Sequence, residues 1–192
     1  VGRLAREKRQ DLIIRAAAKS QYADQIQLVF AGKGPLQKEY ERLSQRIGLK
    51  HRPAFVYYNQ EQLIDLLAQT DVYVHASDME SEAIACIEAF ATGVVPVISN
   101  SELSATKSFA LDNRSLFEAG DAQDLANKID YWLNHPQDRK IMGKRYANEA
   151  KKYSLERSVE SFVDMCEDML RLQSGMAMGY EISPQLLAVM RK

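Results

Sequence analysis

Glycine and proline are scarce in this chain, 9 and 5 among 192 residues, and neither an internal repeat nor a low-complexity tract interrupts it. It reads as an ordinary globular protein. Cysteine is limited to Cys86 and Cys166, eighty residues apart in apolar contexts. That excludes a disulfide framework and points to buried thiols in a reducing compartment. With 3 histidines and no clustered His or Asp, no metal site is expected. Neither sign of charge dominates, since 25 Lys and Arg face 26 Asp and Glu. A net charge of −1 gives no global attraction to nucleic acid or an anionic membrane. No apolar run approaches the roughly 20 residues that span a bilayer, and no signal peptide is recognised. The expected address is the cytoplasm.

What is present is a chain 46% hydrophobic and 27% charged, long enough for one domain with a sizeable core. Helix and strand signals alternate. Residues 9–21 place Leu12, Ile13, Ala16 and Ala17 at helical spacing. IQLVFAG (26–32), AFVYY (54–58), DVYVHAS (71–77), VVPVIS (94–99) and SLFE (115–118) read as strands. Pro35 is read as opening a helix that stops at Gly48. Asn59 with Gln62 resembles a capping box, and Asp121 and Pro136 open later helices. Ser154 starts an amphipathic helix whose expected core face is Leu155, Val159, Phe162, Val163, Cys166 and Leu170. Strands apolar on both faces, alternating with helices, predict an α/β, doubly wound parallel sheet. Residues 1–173 form the expected domain and 174–192 a tail or short helix. VGRLAREK begins like a strand cut at its end, so the sequence is expected to be a fragment of a longer protein.

In such a sheet, ligands bind outside the carboxyl ends of the strands. Four features map there. GRLAREK (2–8), with Arg3, Arg6, Lys8 and Arg9, is either a phosphate site or a solvated basic face. AGKGP (31–35) permits close backbone approach through Gly32 and Gly34, but it is neither GxGxxG nor a Walker A loop. HASDMESE (75–82) brings a lone histidine to a helix start, and His75 reads most simply as structural. Glu88 is a solitary carboxylate in the apolar run 83–99. Burying it costs several kcal/mol unless it has a partner, which could be a core arginine or a vicinal diol such as a ribose.

These same segments, with ESEAIACIEAFATGVVPVI (80–98) and GDAQDLANKI (120–129), resemble the retaining, nucleotide-sugar-dependent glycosyltransferases of the GT-B fold, family 4. The likeness covers residues 1–172 and is to their Rossmann-like, C-terminal donor-binding domain, with trailing C-terminal helices. Glu80 and Glu88 meet the E-x7-E signature. The resemblance implies that Arg3 and Lys8 hold the donor pyrophosphate and that Glu80 contacts the sugar hydroxyls. It further implies that Glu88 grips the ribose, with Gly2, Gly32, Gly34, Ser81, Glu82, Ala83 and Ile84 completing the donor site. ESEA (80–83) stands where the family usually has EGFG. That variation, with SELSATKSFALDNRSLF (101–117), resembles bacterial diacylglycerol and related lipid glucosyltransferases.

The implied activity is transfer of a hexose from a nucleotide diphosphate sugar, UDP-glucose first, with no metal or other cofactor. The acceptor, a membrane lipid in that subgroup, would bind a separate N-terminal domain, and the whole protein could associate with the inner face of the membrane. This chain alone is then expected to bind donor and catalyse nothing. A GT-B-like sugar-nucleotide epimerase and a non-catalytic binding module are the other readings.

Overall fold

The computed structural model describes residues 1–173. Its contacts divide the chain into one unit at Val1–Lys152 and a second from Tyr153 onward. The expected tail at 174–192 lies outside the described residues.

Within the first unit all five strands predicted from the sequence form, each shorter than its apolar run. β1 (Val29–Ala31) pairs in parallel with β2 (Ala54–Val56). β3 (Val72–His75), β4 (Val95–Ser99) and β5 (Leu116–Phe117) form a second parallel sheet in that order. Residues 2–4 continue the pattern beside β1. The Gly2 N–H donates to the Ala31 carbonyl at 2.9 Å, and the Leu4 N–H donates to that of Lys33 at 3.1 Å. β4 is buried at every residue, as a strand covered on both faces must be.

Six α-helices cover these sheets in two groups. α1 (Gln10–Lys19) packs on α2 (Gln37–Ile47) and α5 (Ala122–Asn134). α4 (Ile84–Ala91) packs on α3 (Gln60–Ala68) and α6 (Pro136–Ala150). The caps read from the sequence are present. Asn59 and Gln62 form the reciprocal capping box of α3, and the Asp121 carboxylate accepts from the Gln123 and Asp124 N–H groups at the start of α5. Pro136 stands in the first turn of α6 and Gly48 ends α2 in the left-handed region, at φ 78°.

Pro35 does not open its helix. It follows Gly34 in a tight turn whose third residue, Leu36, sits at φ −91°, ψ 3°, close to the geometry of a type I turn. The Leu36 N–H is bonded to the Leu4 carbonyl, so α2 begins only at Gln37.

In the second unit α7 (Leu155–Gln173) starts, as expected, just after Ser154, whose hydroxyl accepts from the Arg157 N–H at 3.3 Å. Its apolar stripe is not a core face: Leu155, Val159, Phe162, Val163 and Leu170 are exposed. Periodicity shows that a helix has an apolar side, but not that anything covers it. Cys166 on this helix is only half-buried, against the expectation of two buried thiols.

Candidate functional site at the carboxyl ends of β1 and β3

The turn after residues 2–4 and the loop after β3 meet at one place. Lys8 and Glu80, 72 residues apart, form a partly buried ion pair. Beside it, Arg9 takes the left-handed conformation at φ 51° and directs its guanidinium to both Asp78 oxygens, at 2.9 and 3.1 Å. The loop backbone is tied on both sides. Asp78 N–H donates to the Glu7 carbonyl at 2.9 Å, and Ala105 N–H donates to that of Glu80 at 3.0 Å. Ser101 Oγ donates to the Asp78 carbonyl at 2.5 Å. The segment 101–105, which the sequence reading used only as part of a subgroup resemblance and not as a site, therefore fixes where Glu80 stands.

Gly32 and Gly34 border the same turn, and their missing side chains are used by the chain itself. A Cβ on Gly32 would meet the Gly2 carbonyl oxygen at 2.0 Å, and one on Gly34 would meet the Leu4 carbonyl oxygen at 2.2 Å. Gly32 also lies at φ 152°, where side chains are rarely tolerated. These glycines let residues 2–4 cross the end of β1 at backbone distance and so deliver Lys8 to Glu80. Gly2 itself, at φ 129°, is open on its Cβ side.

Arg3 is exposed with no side-chain ion pair among the described residues, leaving its charge available. Ser81, Glu82 and Ile84 are exposed and Ala83 is buried. No side chain caps α4: the Cys86 and Ile87 N–H groups donate to the Ala83 carbonyl at 2.7 and 3.1 Å, while those of Ile84 and Ala85 have no hydrogen-bond partner among the described residues. Glu88 is exposed too, contrary to the expectation of a carboxylate within a buried helix. α4 buries Cys86, Ala89 and Phe90, at spacings of three and four, and turns Ile84 and Glu88 to the other side. The Glu88 carboxylate has neither ion pair nor hydrogen bond among the described residues, and no core arginine meets it.

His75 ends β3 and is buried, 5% exposed. Its Nε2 points at Glu80 Oε2 from 3.6 Å, and its Nδ1 is 3.2 Å from the Tyr73 hydroxyl on the same face of the strand. Burial, with the Lys8 charge adding to it, pushes the imidazole down to about 4, so it is neutral near pH 7. Burial likewise raises the Tyr73 phenol well above its ordinary value.

Two hollows lie nearby. One of about 30 Å³ is lined by Gly2, Lys8, Gln10, Ala31 and His75. The larger, about 440 Å³, runs along α1 and α2 and is lined by Arg6, Arg9, Arg15, Tyr40 and Arg46 among others. The larger is not at Glu80, and its arginines share space with Asp11, Glu39 and Asp78. Chemically, the strand-end site offers what a ligand carrying phosphate and hydroxyl groups needs: cations at the basic turn, two open helix N–H groups and carboxylates for hydroxyls.

The model of the family described as glycosyl transferases group 1 matches residues 1–152. The catalytic domain of a cholesterol-α-glucosyltransferase from Helicobacter pylori superimposes with a TM-score of 0.77 at 47% identity, covering 80% of this chain and 96% of that one. HepE from Anabaena, solved with UDP, shares the fold at a TM-score of 0.77 and 20% identity, over 87% of this chain and 47% of its own. An uncharacterized glycosyltransferase of Methanocaldococcus jannaschii is 34% identical over 101 residues, 52% of this chain and 26% of its own length. The chain thus spans well under half of the curated relatives it matches. Its parallel sheets with flanking helices are the α/β fold of GT-B glycosyltransferases. By sequence and by fold, the chain belongs to the group 1 glycosyl transferases.

Proposed function

We propose that this chain is the donor-binding half of a retaining family-4 glycosyltransferase that moves glucose from UDP-glucose to a lipid acceptor. The observation that carries the reading is the meeting of Lys8 with Glu80, the first carboxylate of E-x7-E, beside the uncapped start of α4. Arg3 and Lys8 hold the diphosphate. Glu80 takes the sugar hydroxyls, and Glu88 takes the ribose diol from the exposed face of α4. Gly2, Gly32 and Gly34 shape the turn, and the backbone of Ser81 to Ile84 lies along the sugar and phosphate.

The difficult step is breaking the bond between C1 and the diphosphate oxygen. Negative charge then grows on the leaving group, where Arg3, Lys8 and the α4 N-terminus can stabilise it without a metal ion. Donor binding has to redirect Lys8, whose charge is spent on Glu80 in the free chain.

The Helicobacter pylori neighbour supports both glucose and a lipid: its name specifies an α-glucosyl product and cholesterol as acceptor. UDP-glucose is itself α-linked, so an α product means retention. The acceptor belongs to a domain beyond this chain, which alone binds donor without turnover, and the whole enzyme works at the cytoplasmic face of a membrane.

Titration of the chain with UDP, UDP-glucose and buffer tests the donor half. Saturable binding of UDP and tighter binding of UDP-glucose is the expected result. Failure of both nucleotides to bind would refute the reading in favour of a non-catalytic module. For the longer protein, a β-linked glucoside would refute retention.

A further inference from the structure

Glu80 is held in the free chain by a residue that the donor must take away. Once Lys8 turns to the diphosphate, the carboxylate needs another donor to stay aimed at the sugar. His75 is the group placed for it. We propose that His75 is a positioning residue that holds Glu80 through its Nε2–H, with Tyr73 fixing the tautomer. The inference rests on the donor-site reading above and concerns which residue keeps Glu80 in place within it.

The geometry begins with the strand. Tyr73 and His75 are two residues apart in β3, so both side chains leave the same face and both are buried, 4% and 5% exposed. The phenol keeps its proton in that environment and can donate it to Nδ1 across 3.2 Å, the direction that the carboxylate facing Nε2 selects. A neutral imidazole bonded in this way carries its own proton on Nε2. The other tautomer would present a lone pair to the Glu80 carboxylate, and two acceptors facing each other repel.

Nε2 has no hydrogen-bond partner among the described residues, and a buried polar atom of that kind is costly to leave unmatched. At 3.6 Å the contact with Glu80 Oε2 is longer than a hydrogen bond, while Lys8 holds the same oxygen. A shift of well under an ångström, available when Lys8 leaves, closes it. Glu80 moves little in doing so, because Leu103, Ala105 and Ser101 tie its loop.

The device therefore separates the two charges of the apo ion pair. The cation goes to the diphosphate, and the carboxylate passes to a neutral donor and stays ionised for the sugar hydroxyls. A neutral donor has a further consequence: it leaves Glu80 its full negative charge toward the sugar, which a histidinium would offset.

The test uses the whole 192-residue chain and the ratio of its affinities for UDP-glucose and UDP, with Trp132 fluorescence confirming the fold. His75→Leu should reduce the UDP-glucose preference roughly tenfold, the scale of one hydrogen bond to a charged group, and leave UDP within about twofold. His75→Gln, whose amide N–H reaches near the Nε2 position, should restore most of the preference. In a Glu80→Ala background, His75→Leu should change the ratio no further. Should His75→Leu not fold, Tyr73→Phe keeps the ring, frees the tautomer and should lose part of the preference.

An undiminished preference in His75→Leu, or in Tyr73→Phe, would overturn the inference and mean that water in the small hollow satisfies Nε2. Equal binding of UDP and UDP-glucose by the unaltered chain would overturn it too, while the nucleotide site stands. Binding of neither would instead bring down the donor-site reading itself.

Discussion

Acidification should weaken the first unit of this chain through His75. The imidazole is neutral in the folded chain, with its titration pushed down to about 4 by burial and the nearby Lys8 charge. Unfolded, it returns to its ordinary value near 6.5. Between these values the unfolded chain binds a proton that the folded chain refuses. A depressed folded value of this kind leaves stability intact above about pH 6.5 and removes it as the pH falls toward 4. The shift corresponds to a loss of roughly 2 kcal/mol by pH 5 and roughly 3 kcal/mol by pH 4. Because the side chain is 6% exposed, solvent screening removes little of this. Urea unfolding followed by the fluorescence of Trp132, the chain's single tryptophan and fully buried in the same unit, reads the effect. The measurement compares the unaltered chain with His75→Gln, which has nothing to titrate at this position. Carboxylate contributions are common to both, so the difference between them isolates the histidine. If the two chains lose the same stability between about pH 8 and pH 5, the linkage reasoning is wrong.

Three further outcomes follow from the packing. Gly34→Ala would place a Cβ 2.2 Å from the Leu4 carbonyl oxygen and 2.5 Å from its nitrogen, both backbone atoms. Its cost should be about 2 kcal/mol or more in urea unfolding, and a change under about 0.5 kcal/mol would contradict the close crossing. Glu88→Ala, at an exposed position, should stay within about 0.5 kcal/mol in stability, yet weaken UDP binding roughly tenfold by titration. A large stability loss with unchanged affinity would return Glu88 to a structural role. The Cys86 thiol, fully buried and pushed up to about 12 by that burial, should resist a thiol reagent until the chain unfolds, whereas half-buried Cys166 reacts in the native state. Prompt reaction of both thiols would show that the core around Cys86 opens.

Much of the fold was legible because it rests on local signals. Asn59 with Gln62, Asp121, Pro136 and Gly48 each act within a few residues, and each behaves as its chemistry dictates. Pro35 departs because a contact 32 residues back, from Leu36 to Leu4, uses the N–H that local reasoning left to the helix. Glu88 departs for a related reason. The apolar residues of α4 outnumber the positions its packing can cover, so one apolar side chain, Ile84, joins Glu88 on the open face. α7 carries the same lesson, with an apolar stripe exposed along its length.

The candidate site was legible as residue types and spacing, and its assembly was not. The basic turn and Glu80 could be named from the sequence, but their pairing across 72 residues depends on two glycines and a tied loop. His75 read as a bland strand-end histidine because its partners, Tyr73 at two residues and Glu80 at five, matched no motif. The period-2 alternation of β3 was the available signal, since it places Tyr73 beside His75 on one buried face.

The central claim is that a sugar nucleotide sits where the basic turn, the β1 glycines and the start of α4 converge. Mapping UDP-glucose onto the backbone amide spectrum tests it most directly. The account predicts saturable shifts at Gly2, Gly32, Gly34 and Ser81 through Ile84, with the arginine-lined groove at Arg15 and Arg46 unmoved. Shifts confined to that groove, or none at the strand ends at saturating donor, would contradict it.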